Sequence, residues 1–123
     1  LRKIFGGVMR QAGILDAAGI HALDHHMQRL TEDHLNARLL AEQLCEINGF
    51  RVNLESVQTN IVIVDIAGLG ITPVAATEQL ARDGLLVVPF GKTTLRAVTH
   101  LDVDRQGILT AIEVFRKNFS GLA

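Results

Sequence analysis

Residues 60–66 read NIVIVDI, and this run decides the class of fold that the sequence encodes. It is mostly apolar and β-branched, which is typical of a strand buried in a sheet. Glycines 68 and 70 break the run. Residues 85–88 and 94–98 are two further strand-like runs, and residues 50–53 form a shorter candidate strand. The sequence therefore predicts a β-sheet of short strands.

Helical patterns surround these strands. Residues 9–25 and 27–47 have apolar side chains three or four positions apart, as amphipathic helices do. Thr72 and Pro73 are typical of an N-cap and a first helical residue, and predict a helix that ends near residue 83. Asp104 is placed to cap a last helix that runs to about residue 119.

The order of these elements predicts an α/β (α+β) fold. Two helices come first, followed by strand, strand, helix, strand, strand and helix. Neighbouring strands that are joined by short turns favour a mainly antiparallel sheet with helices on one face.

Composition narrows the class of protein. The 123 residues carry a net charge of -1 and include no Trp or Tyr, which argues against a nucleic acid partner. Apolar runs such as residues 85–89 are too short to span a bilayer, so we expect no membrane partner.

The single cysteine, Cys45, excludes an intrachain disulfide and suits the cytoplasm. The chain starts at Leu1 rather than Met, so we expect that an N-terminal portion is missing.

A candidate anion site lies near the start of the chain. Gly6 and Gly7 precede the first predicted helix, with Lys3 and Arg10 close by in sequence. Free backbone N–H groups at the positive end of a helix, together with cationic side chains, suit a phosphate. The spacing is not that of a nucleotide P-loop. The alternative is an ordinary hinge with two solvated cations.

A second candidate site surrounds Arg96, which lies among apolar residues of a predicted strand. A planar guanidinium can hold a carboxylate through two parallel hydrogen bonds. The alternative is an arginine on the solvated face of an edge strand.

The histidines do not predict a metal site. His25 and His26 are adjacent, so on a helix their side chains point about 100° apart. Their spacing to His34 matches no zinc motif. We expect that His100 orients the turn into the last helix.

An ordered set of motifs resembles the low-specificity L-threonine aldolases. The set comprises residues 6–15 (GGVMRQAGIL), residues 29–38 (RLTEDHLNAR), residues 59–61 (TNI) and residues 96–103 (RAVTHLDV). The likeness covers almost the whole chain, and the ordered set is more specific than any one motif.

This resemblance implies a fold, a cofactor and a reaction. The family resembled has the aspartate aminotransferase-like fold, holds pyridoxal phosphate on a lysine, and cleaves L-threonine or L-allo-threonine to glycine and acetaldehyde. Residues 1–26 would then be a hinge and linking or interface helix, and residues 27–123 the small C-terminal domain. A large N-terminal domain would be missing. The resemblance also implies a homo-oligomer, specifically a homotetramer.

The same resemblance implies roles for three residues. Arg96 matches the arginine that binds the substrate carboxylate. Lys3 and Arg10 match cations near the cofactor phosphate, contributed across a subunit interface. Val8 stands where the family usually has a third glycine, and a β-branched residue does not readily adopt positive φ.

No catalytic residue is expected within this chain. The Schiff-base lysine should lie upstream in a Ser-Lys-Gly context, and none of Lys3, Lys92 and Lys117 has that setting. The chain alone should therefore be inactive. Two alternatives stay open: another aldolase or lyase of the same fold, and a non-catalytic α/β regulatory or oligomerisation module that binds a small anion.

Overall fold

A computed structural model describes residues 1, 3–4, 7 and 9–121 of the chain. The chain divides into two compact units, Leu1–Leu30 and Thr31–Ala123. The division predicted from the sequence, after residue 26, lies a little earlier. The assignment of either unit to a domain of a larger protein stays a prediction.

The first unit contains one helix, α1, which spans Ala12–His25. Gln11 precedes it with φ 56, a left-handed conformation, and its side chain makes no capping hydrogen bond. The helix therefore begins later than the predicted residue 9. No residue of α1 is buried, and Ile14, Leu15 and Leu23 are each at least 60% exposed.

The second unit contains a three-stranded antiparallel sheet. Its strands are β1 (Ile61–Asp65), β2 (Val88–Phe90) and β3 (Thr94–Val98), in the spatial order β1-β3-β2. β1 and β3 confirm the predicted strands at residues 60–66 and 94–98. The α/β class and the antiparallel sheet are also confirmed.

Two predicted strands differ from the structure. Residues 50–53 form no strand, and only Arg51 bridges to Asp65. The run at residues 85–88 joins the sheet only at Val88, and the strand continues through Pro89 to Phe90. The first three residues follow a left-handed glycine, Gly84, whose φ is 81. Pro89 is compatible with β2 because β2 is an edge strand, where a missing N–H donor is tolerated.

Three more α-helices are α2 (Leu30–Leu44), whose first residue is the last of the first unit, and α3 (Pro73–Arg82) and α4 (Arg105–Phe119) in the second unit. α2 is shorter at both ends than the predicted residues 27–47. Both predicted caps form: Thr72 Oγ1 accepts from the Ala75 N–H at 3.2 Å, and Asp104 Oδ1 accepts from the Gly107 N–H at 2.8 Å.

The core lies on one face of the sheet. Val62 and Val64 of β1 and Leu95 of β3 are almost fully buried, while their strand neighbours are more exposed. The helices cover this face with side chains that include Leu40, Leu44, Ala76, Leu80, Ile112, Phe115 and Phe119. The other face of the sheet carries Arg96. Among the described residues, no helix is long and apolar enough to cross a membrane.

Candidate functional site

Arg96 lies at the centre of the exposed face of the sheet. It belongs to β3, the middle strand, and is flanked in register by Ile63 of β1 and Val88 of β2. The predicted alternative is wrong about the strand, because β3 is the middle strand, and correct about the face, because Arg96 lies on the exposed face of the sheet. The side chain is half-buried between aliphatic neighbours, where a charge interacts more strongly with a partner than it does in bulk water.

The guanidinium of Arg96 has no hydrogen-bond acceptor in the described part of the chain. Its Nε atom is buried without a partner. The guanidinium lies over the ring of Phe90, whose centroid is 5.6 Å from Arg96 Cζ. A buried donor that lacks an acceptor costs about 1–3 kcal/mol. Arg96 is thus a cation that a bound anion would stabilise.

Asp65, the acidic residue nearest to Arg96 in the strand pairing, already makes another hydrogen bond. Asp65 pairs with Thr94, two positions from Arg96. Its Oδ1 accepts a hydrogen bond of 2.9 Å from the Ala67 N–H and shapes the turn after β1. No ion pair joins Asp65 to Arg96 among the described residues, so the guanidinium stays available for an external carboxylate.

A buried network fixes the end of β3 behind Arg96. The Thr99 hydroxyl donates to the Asp33 carbonyl at 2.7 Å. Asn60 Nδ2 donates to the Thr99 carbonyl at 2.8 Å, and the Thr99 N–H donates to the Asn60 carbonyl at 2.9 Å. Asn36 Nδ2 donates to the Val103 carbonyl at 3.4 Å. Three of the four motifs that carry the family resemblance, at residues 29–38, 59–61 and 96–103, therefore meet in this region.

The sequence did not lead us to predict that Asp33 and Thr99 belong to a buried network. Asp33 and Thr99 were read only as parts of motifs, although both are buried in the structure. For Thr99, its place directly after Ala97 and Val98 is a signal, because a buried polar group needs a partner. Asp33 lies among polar residues and gives no such signal.

His100 takes part in the turn that leads into α4. Its Nδ1 accepts from the Asp102 N–H at 3.3 Å, and Asp102 Oδ2 lies 3.7 Å from the same nitrogen. Both side chains are mainly exposed, so an ion pair between them adds little stability. This geometry matches the predicted turn-orienting role.

Lys3 and Arg10 lie in turns of the first unit, and both are exposed. The predicted arrangement with glycines directly ahead of the helix is wrong in one respect: α1 begins at Ala12, well after Gly7. The left-handed Gln11 sets this start. Gly6 and Val8 lie outside the described residues, so the predictions made for them stay predictions.

The histidines of α1 interact with one another. The His25 Nδ1–H donates to the His21 carbonyl at 2.9 Å, and the two rings stack with centroids 4.2 Å apart. Within the described ranges, no group of three or more His, Cys, Asp or Glu residues is placed to hold a metal ion.

A cavity of about 360 Å³ opens on the helix side of the sheet, next to residues 85–87. Leu85, Val87, Ile108 and Phe115 contribute to its apolar wall, and no lysine or arginine lines it. The cavity therefore lacks the cation that a carboxylate ligand would need, in contrast to the exposed face around Arg96.

Comparison with known proteins identifies the family. The sequence model of the family described as Beta-eliminating lyase matches residues 1–67. The chain belongs to this family. Its enzymes depend on pyridoxal phosphate, which agrees with the cofactor that the resemblance implied.

Individual proteins of known name confirm the resemblance to threonine aldolases. The chain is 40% identical over 120 residues to the probable low-specificity L-threonine aldolase 2 of Arabidopsis thaliana, covering 92% of the chain and 33% of that protein. It is 40% identical over 105 residues to the low specificity L-threonine aldolase of Escherichia coli strain K12, covering 85% of the chain and 29% of that protein. The chain thus spans about a third of the length of these relatives.

A solved structure supports the fold. The structure of MppP soaked with the product 2-ketoarginine superposes with a TM-score of 0.64 at 16% identity, covering 80% of this chain and 30% of that chain. At this level of identity the likeness concerns the fold alone.

The residues present fit part of a pyridoxal-phosphate site. Arg96 offers a guanidinium without an internal partner, and Lys3 and Arg10 are exposed cations. Covalent attachment of the cofactor needs a lysine. Lys117 is held by Asp83, with Nζ 2.7 Å from Oδ1, and Lys92 is exposed in the turn between β2 and β3. The described residues therefore include cations that would suit an anion, and neither of these two lysines has the setting of a covalent attachment site.

Proposed function

We propose that the complete protein is a pyridoxal-phosphate-dependent aldolase that cleaves L-threonine or L-allo-threonine to glycine and acetaldehyde. This chain would supply its C-terminal portion. The observation that carries the proposal is the guanidinium of Arg96, which has no hydrogen-bond partner among the described residues, in a chain that is 40% identical to two threonine aldolases.

Arg96 would bind the carboxylate of the amino acid substrate. Its Nε is buried, so the two terminal nitrogens are the ones that can reach a ligand, and together they match the two oxygens of a carboxylate. Holding the carboxylate at two points would fix the orientation of the substituents on Cα. Pyridoxal phosphate, when bound, supplies an electron sink for the bond that breaks.

Lys3 and Arg10 would bind near the cofactor phosphate, across a subunit interface of a cytoplasmic homo-oligomer. Two features support this proposal: their exposure in the first unit, and the exposed apolar side chains of α1. Such side chains are typical of a surface that another subunit or domain covers. The lysine that binds the cofactor covalently would lie upstream, in the N-terminal large domain.

The test is to purify the complete protein, record the absorbance of bound cofactor, and assay acetaldehyde release from L-threonine. We expect a cofactor band at the edge of the visible range and stereospecific acetaldehyde release. D-threonine serves as the control substrate and should release none.

Two other results would contradict the proposal. A cofactor band with cleavage of a different amino acid, and no acetaldehyde from threonine, would indicate another lyase of the same fold. The absence of both the band and the activity would favour a non-catalytic module that binds a small anion through Arg96.

A further inference from the structure

The ring of Phe90 lies beside Arg96 without belonging to the core. Phe90 pairs with Thr94, and Val88 pairs with Arg96, so Phe90 and Arg96 share the exposed face of the sheet. Phe90 is 48% exposed and is absent from the buried cluster. Core packing therefore does not account for an aromatic side chain at this position.

The backbone on both sides of Phe90 is constrained. Pro89 fixes its own φ, and Gly91 adopts φ 75 at the start of the turn between β2 and β3. A Cβ added at Gly91 would lie 3.1 Å from Thr94 Oγ1, which is closer than most side chains tolerate. This tight turn sets the register that places Phe90 diagonally across from Arg96.

Among the described residues, the Phe90 ring is the aromatic group that lies near the guanidinium of Arg96. Ile63 and Val88 flank the arginine, but aliphatic side chains have no charge distribution that attracts a cation. The negative face of an aromatic ring does attract one, within about 6 Å of the centroid. The observed separation of 5.6 Å lies within that range. An arginine side chain has many rotamers, so holding it in one orientation before binding reduces the entropy lost when a ligand binds.

We propose that Phe90 is a positioning residue, which orients the Arg96 guanidinium for the substrate carboxylate. This inference rests on the proposed aldolase function. Phe90 does not itself contact the reacting atoms in this account, and it acts only through Arg96.

The test varies the charge distribution of the ring while preserving its shape. Phe90 of the complete protein is replaced by phenylalanines that carry one, two or three ring fluorines, and by leucine. Inhibition of threonine cleavage is then measured with glycine and with glycinamide, which is similar in size but has no carboxylate. Val98→Ala is the matched control, because Val98 is 43% exposed on the same face.

We expect the inhibition constant for glycine to rise with each added fluorine, and to reach about 2- to 30-fold above wild type in Phe90→Leu. The KM for L-threonine should rise in parallel. The inhibition constant for glycinamide should stay within about twofold of wild type, and Val98→Ala should leave both constants unchanged. A purely structural role would not depend on the number of fluorines.

A second readout does not depend on cofactor or activity. In the ¹⁵N-labelled 123-residue chain, the Arg96 Nε–H signal should carry a ring-current shift from Phe90, and Phe90→Leu should remove it. If the Arg96 Nε–H signal is unchanged in Phe90→Leu, the contact between Phe90 and Arg96 is contradicted, and so is the positioning role.

The outcomes separate the two claims. If the wild type cleaves threonine but glycine inhibition is the same across the fluorinated series, the positioning role is wrong and the aldolase proposal stands. If the wild type does not cleave threonine, the aldolase proposal fails and the positioning role fails with it.

Discussion

The hydroxyl of Thr99 donates a 2.7 Å hydrogen bond to the backbone carbonyl of Asp33, joining the end of β3 to the start of α2. Thr99 is 1% exposed. Because water cannot replace a lost donor at this depth, the bond matters more than an exposed one would.

Thr99→Val should destabilise the second unit by about 1–3 kcal/mol, because it leaves the Asp33 carbonyl without this donor while keeping the side-chain shape. Urea unfolding monitored by circular dichroism measures the change. Thr99→Ser keeps the hydroxyl and should recover most of the loss. Equal stability of Thr99→Val and wild type would show that the bond contributes nothing.

Gly68 and Gly49 meet backbone to backbone where the end of α2 approaches the turn after β1. A Cβ at Gly68 would lie 2.7 Å from Gly49 Cα and 2.8 Å from Gly49 O. Gly68→Ala should therefore cost about 1–3 kcal/mol through overpacking. Gly107→Ala is the control: it lies within α4 with ordinary contacts of 3.4 Å, and should be neutral or stabilising. Similar unfolding midpoints for the two variants would contradict the close approach.

Asp83 should make stability depend on pH at the acidic end. Hydrogen bonds from Lys117 at 2.7 Å and from Asn118 at 2.8 Å hold the pKa of its carboxyl below the ordinary value of 3.8. Because the folded pKa is the lower one, the stabilisation is complete above the unfolded pKa and is lost as pH falls through the folded pKa.

The check is an NMR titration of the Asp83 carboxyl, with unfolding measured from about pH 6 to about pH 2. Lys117→Met should raise the pKa of Asp83 and weaken the acid dependence. Asp83→Asn should remove this part of the dependence altogether. An unchanged Asp83 pKa in Lys117→Met would show that the hydrogen bond is not its cause.

Local interactions made parts of the fold predictable from sequence. Thr72 and Asp104 were correctly predicted as helix caps, because each side chain accepts a hydrogen bond from a backbone N–H only three residues later. Residues 60–66 were correctly predicted as a strand, because β-branched residues favour a sheet in any part of the chain. Arg96 was correctly placed on a strand, the run at residues 94–98. Its role stays a prediction.

Interactions between distant residues could not be read in the same way. The sequence gives no direct sign that Thr99 bonds Asp33, 66 positions away. Residues 85–87 stay outside the sheet although their composition favours a strand, and the Leu85 N–H donates instead to the Leu80 carbonyl at 3.1 Å. The contact between Phe90 and Arg96 depends on the register of one hairpin, which a shift of one residue would abolish.

The 123-residue chain should release no acetaldehyde from threonine, even with added pyridoxal phosphate. The reaction needs a lysine that binds the cofactor covalently, and we expect that lysine upstream. A coupled assay with alcohol dehydrogenase detects acetaldehyde directly. Turnover above that of heat-denatured chain would show that the essential residues are all present here.

The most direct test of the central claim is Arg96→Lys in the complete protein, measured as kcat/KM for L-threonine together with the absorbance of bound cofactor. Lysine keeps the charge but loses the planar fork. Loss of a charge-assisted, largely desolvated contact costs about 2–5 kcal/mol, which corresponds to a fall of about 30-fold to several thousand-fold. Arg82→Lys, at an exposed arginine of α3, is the control and should have no effect. In Arg96→Lys we predict that kcat/KM falls by this factor while the cofactor remains bound. Near-normal kcat/KM in Arg96→Lys would contradict the assignment of Arg96 to the substrate carboxylate.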